Sequence, residues 1–176
     1  MDLHRLGVKF FAADPASIKL PDFIPLFHAW IQKQNLTGHL LIDVHDYSHV
    51  HQGPGILLVA HEGNFSLDTE EGRPGLMYYR KTPTGLAPVE HLAAVTRSGL
   101  QACRLLEKDA RVRFTMDELL VLANDRLNAP NDDETFKQLR PILAAALKQV
   151  FESTAFELSR KSDNPKERFM IACTRT

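Results

Sequence analysis

The chain predicts an α+β fold in which a largely antiparallel sheet is covered by helices. Three features carry that expectation. Short segments alternate apolar and polar residues with period two. Three longer segments place apolar residues at helical spacing. The two kinds follow one another as strand, helix and strand pair on either side of a connecting helix. The 176 residues are enough for one core, and residues 1–176 are expected to form a single domain.

Leu6–Ala12 reads as the first strand, with Leu6, Val8 and Phe10 on one side, and Asp14-Pro15 ends it in a turn. A helix is expected over residues 21–34. Pro21 suits its first turn, and Phe23, Leu26, Phe27, Trp30 and Ile31 form its apolar stripe. Strand-like HLLIDV follows over 39–44, then a histidine-rich loop, then a long strand over 56–67. The turn TEEGRPG leads into its hairpin partner LMYYRK.

The second helix, over 88–108, spaces Leu92, Val95, Gly99, Cys103 and Leu106 along one face. Gly99 costs about 1 kcal/mol relative to alanine in a helix, which predicts close packing there. RVRF and the strand ELLVLAND come next. Asn131 and Glu134 then have the reach of a capping box for a third helix over 132–151, with Phe136, Leu139, Leu143, Leu147 and Val150 inward. AFELSRK and RFMIACT read as a closing hairpin across SDNPKE.

The two halves resemble each other. FIPLFHAWIQK in the first helix parallels LRPILAAALKQ in the third, and each carries a proline, Pro25 and Pro141, expected to bend the axis. This suggests an internal duplication, two βαββ units over about 1–85 and 110–176 joined by the helix at 88–108. A ferredoxin-like βαββαβ core with an added αββ is the near variant.

Composition narrows the function classes. Apolar residues at 44%, charged residues at 24% and a net charge of −1 describe an ordinary globular chain, not a basic nucleic-acid binder. The longest apolar runs, ILLVA and LLVLA, are strand-length and too short to span a bilayer. The start MDLHRLGVKFF lacks signal-peptide architecture, so a cytoplasmic protein is expected. Cys103 and Cys173 are too far apart for a zinc or redox motif and read as buried thiols.

The densest chemistry lies in one window. Six of the eight histidines, His28, His39, His45, His49, His51 and His61, fall between residues 28 and 61, with Asp22, Asp43, Asp46 and Glu62 in or beside it. Imidazole and carboxylate bind metals, move protons near neutral pH and orient polar ligands. If strands 39–44 and 56–62 run parallel, Asp43, His45, His61 and Glu62 gather at one sheet edge. If they form a hairpin, His39 falls opposite His61 and Asp43 lies near Leu57. His61, Glu62 and Asp43 are the candidate catalytic groups, with His61 moving a proton and a carboxylate orienting it. His45, His49 and His51 are candidate ligands for a divalent metal or an anionic substrate, although neither HExxH nor zinc-finger spacing is present. Tyr78 and Arg80 share a face of their strand and could line an anion pocket. In the Asn124-Asp125-Arg126 run, Asp125 is a further binding candidate where a strand gives way to a loop.

The stretch LIDVHDYSHVHQGPGILLVAHEGNFSLD, with FHAWIQ before it and GLMYYRK after it, resembles a family of bacterial proteins without an assigned activity. The resemblance implies a bacterial, cytosolic protein and carries over no site residue, cofactor or substrate. The leading expectation is therefore small-molecule or metal binding, with acid–base catalysis open, at the histidine-rich loop. The alternative is a non-catalytic module that self-associates, most simply as a homodimer, through exposed sheet edges.

Overall fold

The computed structural model describes residues 5–152 and 155–176. Eight strands form one antiparallel sheet: β1 (Leu6–Ala12), β2 (Leu41–Tyr47), β3 (Gly55–Ala60), β4 (Gly63–Asp68), β5 (Gly75–Arg80), β6 (Phe114–Ala123), β7 (Phe156–Arg160) and β8 (Phe169–Arg175). Their order is β2-β3-β4-β5-β1-β6-β8-β7. Three helices, α1 (Ile24–Lys33), α2 (Pro88–Asp109) and α3 (Asp133–Phe151), complete the fold, which is the α+β class the sequence predicts. No helix among the described residues is long and apolar enough to cross a membrane.

Strand alternation builds the main core. Leu6, Val8 and Phe10 of β1, Phe65 and Leu67 of β4, Leu76 and Tyr78 of β5 and Leu119 and Val121 of β6 pack with the buried stripes of all three helices. α2 lies across β1 and β5, and α3 packs against α2. Gly99 sits where α2 meets the sheet. A Cβ added there would lie 2.8 Å from the Phe10 ring and 2.9 Å from Val8, so the missing side chain lets helix and strand approach. Trp30 of α1 is buried and donates from Nε1 to Asp109 at 2.9 Å, tying α1 to the end of α2. Both cysteines are buried. Burial raises the Cys103 thiol and pushes that of Cys173 up to about 12, so neither is a ready nucleophile.

Four expectations need correction. The segment 56–67 is a hairpin of β3 and β4, broken at His61-Glu62. At the far end of that hairpin Gly55 has φ +60, and a Cβ there would meet the Leu67 carbonyl oxygen at 1.9 Å, so only glycine fits. The cap of α3 is Asp132, whose carboxylate accepts from the Thr135 N–H at 2.8 Å. Asn131 instead donates to the Ser162 and Asn164 carbonyls at 3.0 and 2.8 Å, anchoring the β7–β8 turn. Pro25 stands in the first turn of α1, where proline costs no helical hydrogen bond, whereas Pro141 is inside α3. Finally, four strands follow α1 but only two follow α3, so the halves are unequal.

Candidate functional site

All three helices cover one face of the sheet. The other face carries Gly7, Lys9 and Phe11 of β1, Asn64, Ser66 and Asp68 of β4, Met77 and Tyr79 of β5, Leu120 and Leu122 of β6 and Met170 of β8. Register turns these into rows. Asn64, Tyr79, Gly7, Leu122 and Met170 lie side by side, and Ser66, Met77, Lys9 and Leu120 form the adjacent row. Gly7 has no side chain, and the Leu122 side chain leans over it, 3.2 Å from where a Cβ would stand.

A cavity of about 250 Å³ opens on this face. Pro54, Leu57, Asn64, Ser66, Asp68, Glu70, Met77, Tyr79, Leu122, Asn124 and Arg168 form its lining. Apolar Leu57 and Met77 flank the polar strip of Asn64, Ser66 and Asp68 on β4, a mixture usual for small-molecule sites. Beside it, a wider and more polar depression of about 600 Å³ includes Gln52, Glu71, Lys161 and Met170 and shares Glu70 and Arg168.

Lys9 stands out behind the wall, bonded to the lining residues Asp68 and Glu70. It is 0% exposed, and its ammonium donates to Asp68 Oδ1 and to the Glu70 carbonyl, both at 2.6 Å. Its stem crosses above Gly75, where an added Cβ would sit 3.0 Å from Lys9 Cε. The Phe11 ring lies 5.7 Å from that ammonium and 3.9 Å from the Arg73 guanidinium. Asp68 also accepts from the Ser66 hydroxyl at 3.2 Å and from the Glu70 N–H at 3.0 Å. Burial lifts its carboxyl above the ordinary range, with the Lys9 charge and hydrogen bond opposing the rise. A second pair borders the cavity, where Arg168 donates to Glu70 Oε2 at 3.0 Å. Burial raises the Tyr79 pKa, and the Asn124 side chain opposes the rise.

The histidine-rich window is arranged differently from its most productive expectation. β2 and β3 are antiparallel, with Asp43 opposite Val59 and His45 opposite Leu57, and the His61 N–H bonds the Leu40 carbonyl. His61 and Glu62 therefore stand beside Leu40, about 17 Å along the strand from His45 at 3.4 Å per residue. Asp43 and His45 make a side-chain pair at 3.5 Å, both largely exposed on the edge strand. His49 and His51 lie exposed in the β2–β3 turn. Among the described residues no three His, Cys, Asp or Glu side chains converge as a metal ion would need, so His45, His49 and His51 are not brought together as a metal centre. His61 is exposed. Glu62 accepts the Leu40 N–H at 2.8 Å. Desolvation opposes the shift, but that hydrogen bond and the nearby histidines hold the Glu62 carboxyl below its usual value.

Tyr78 does not line an anion pocket, because it points under the helices and is fully buried. Its hydroxyl lies 2.7 Å from His39 Nε2, while His39 Nδ1 lies 3.2 Å from the Thr37 carbonyl. A carbonyl only accepts, so Nδ1 holds the proton and Tyr78 donates to Nε2. Arg80 uses Nε on the Thr82 carbonyl at 3.0 Å. Asp125 accepts from the Asn128 N–H and side chain and borders a separate depression with Arg5 and Lys81.

Burial lowers the His39 pKa, against the Thr37 hydrogen bond and the Glu62 charge. The folded state therefore holds fewer protons than the unfolded one below about pH 6.5. His39 contributes stability that is present above that pH and is lost as pH falls through its lowered folded value. Urea denaturation across pH 7.5 to 5 should show this loss, and His39→Gln should flatten it. An unchanged slope in that variant would assign the pH dependence elsewhere.

The outer edge of β2 is blunted. Gln34 bonds both the Leu41 N–H and carbonyl, at 3.0 and 2.9 Å, Asp43 takes the Val44 N–H at 2.8 Å, and a bulge interrupts the strand between Leu41 and Asp43. These are devices that discourage strand addition, so this edge lends no support to self-association by pairing.

Sequence reasoning missed the cavity residues Asn64, Ser66, Asp68, Met77, Tyr79 and Arg168 and the Lys9 behind them, and weighed Asn124 only as part of its run. The available signal was Lys9 inside the otherwise apolar strand LGVKFFA, together with Asn, Ser and Asp at alternate positions of GNFSLD. Comparison with protein-family models, with curated proteins and with solved structures finds no match, so the site rests on its own geometry.

Proposed function

We propose that the protein binds a small, partly apolar organic molecule in the cavity on the helix-free face of its sheet. The observation that carries this reading is the buried Lys9–Asp68 pair, in which Asp68 lines the cavity and Lys9 holds it from behind. A buried ion pair is weak as a source of stability, and an apolar pair would serve the core as well or better. Here it holds Ser66 and the Glu70 backbone in place around an open space, which is what a preorganised polar site needs. Apolar Leu57, Met77 and Leu122 would hold the body of the ligand, and the polar strip would orient it. Acid–base chemistry, if the ligand is also a substrate, falls to Asp68 and Tyr79, the titratable groups of the wall with raised pKa values.

The test uses the methionine methyl groups, read by NMR after carbon-13 labelling. Met77 lines the cavity, whereas Met116 packs on the helix-covered side. Titration with quinoline, a planar bicyclic probe, is expected to shift Met77 saturably and to leave Met116 unmoved. An unmoved Met77 at millimolar probe would contradict the reading.

A further inference from the structure

Resting on the cavity reading, we infer that the ligand is a carboxylic acid, with its apolar body in the cavity and its carboxylate on Arg5 and Lys81. The antiparallel register pairs Gly7 with Tyr79 and Leu6 with Ala123. Just beyond these pairs, the Asn124 N–H bonds the Arg5 carbonyl at 3.1 Å and the Lys81 N–H bonds the Glu62 carbonyl at 2.9 Å. Continuing the ladder places Arg5 between Lys81 and Asn124, in the next row after Tyr79, Gly7 and Leu122 on the helix-free face. All three residues are exposed, and they line a depression of about 470 Å³. Asn124 also lines the cavity, so the two spaces meet there.

Like charges set side by side on neighbouring strands repel, so Arg5 beside Lys81 is a costly arrangement unless an anion joins them. Four other cations on this face each have a carboxylate: Lys9 has Asp68, Arg73 has Glu118, Lys161 has Glu71 and Arg168 has Glu70. Among the described residues no carboxylate stands within ion-pair distance of Arg5 or Lys81. Asp125 borders the same depression, but its two oxygens accept from Asn128, from the N–H at 3.2 Å and the side chain at 2.7 Å. Two cations against that one carboxylate leave a single net positive charge in the lining. A carboxylate neutralises it, whereas a doubly charged phosphate would leave an excess of negative charge. Arg5 also has φ +58, a left-handed backbone that is uncommon outside glycine and recurs at binding sites. The rows of Tyr79 and Lys81 are about 7 Å apart at 3.4 Å per residue. A ring lying against Tyr79 can therefore carry its carboxylate to the cations through few or no linking atoms.

Calorimetric titration at neutral pH and low ionic strength tests this with quinoline, its carboxylate quinaldate and the neutral methyl ester of quinaldate. Quinaldate is expected to bind about tenfold more tightly than the other two, as charge-assisted hydrogen bonds to the carboxylate allow, and to shift the Met77 methyl signal. Arg5→Gln and Lys81→Gln should each weaken that preference, and the double variant should remove it while quinoline still shifts Met77. Lys81→Gln alone keeps the test alive should the Arg5 variant fail to fold. Benzoate and phenyl phosphate, a second matched pair, separate the two kinds of anion, and benzoate is expected to bind more tightly. Equal affinity for quinoline, quinaldate and the ester would overturn the carboxylate inference and leave the cavity reading standing. Binding of none would overturn both. A preference for quinaldate that survives in Lys81→Gln or in the double variant at full strength would overturn the role of the cations. Tighter binding of phenyl phosphate would overturn the choice of carboxylate, and quinaldate binding without a Met77 shift would overturn the placement of its ring.

Discussion

Lys9→Met is expected to destabilise the protein by about 3–5 kcal/mol at neutral pH, because it leaves the Asp68 carboxylate buried and uncompensated. The loss should shrink in acid. Burial already raises the Asp68 carboxyl, and without Lys9 that effect is unopposed. A group whose folded pKa is raised contributes stability below its unfolded value and loses it as pH rises through the folded value. The variant should therefore approach the parent protein near about pH 4, where the unfolded carboxyl titrates. Urea denaturation at both pH values checks this. A pH-independent deficit would mean that packing of the Lys9 stem, not the charge on Asp68, is what the pair contributes.

Phe10→Ala is expected to cost about 3–5 kcal/mol, the usual range for emptying a fully buried aromatic site. Its position makes a second, sharper expectation. Gly99 accommodates the Phe10 ring, so Gly99→Ala alone trades about 1 kcal/mol of helix propensity against overpacking at 2.8 Å. In the Phe10→Ala background that ring is gone and Gly99→Ala should be less harmful by at least about 0.5 kcal/mol. Additive losses in the double-mutant cycle would contradict the proposed contact between α2 and the central strand.

The elements of the fold were legible because each is carried by local periodicity. The stripe of α2, the alternation of β1 and the closing hairpin of β7 and β8 stand where the pattern puts them. The break between β3 and β4 was not legible, because ILLVAHEGNFSLD reads as one continuous strand until tertiary pairing folds it at His61-Glu62. The site was harder still. Histidines are conspicuous in a sequence, but here strand pairing disperses them along an edge and a turn. Tyr78 and Tyr79 are adjacent in sequence and point to opposite faces, and sequence reasoning followed the one that lies under the helices. Lys9 and Asp68 are 59 residues apart, and only the pairing of β1 with β5 and of β5 with β4 brings them together.

The central claim is that ligand occupies the helix-free face and not the histidine-rich edge. One spectrum decides between them: carbon-13 signals of the methionine methyls and the histidine rings recorded together during titration with quinoline. The account predicts a saturable shift at Met77, with the ring signals of His45, His49 and His51 unmoved. Movement of those histidines beside a stationary Met77 would contradict it.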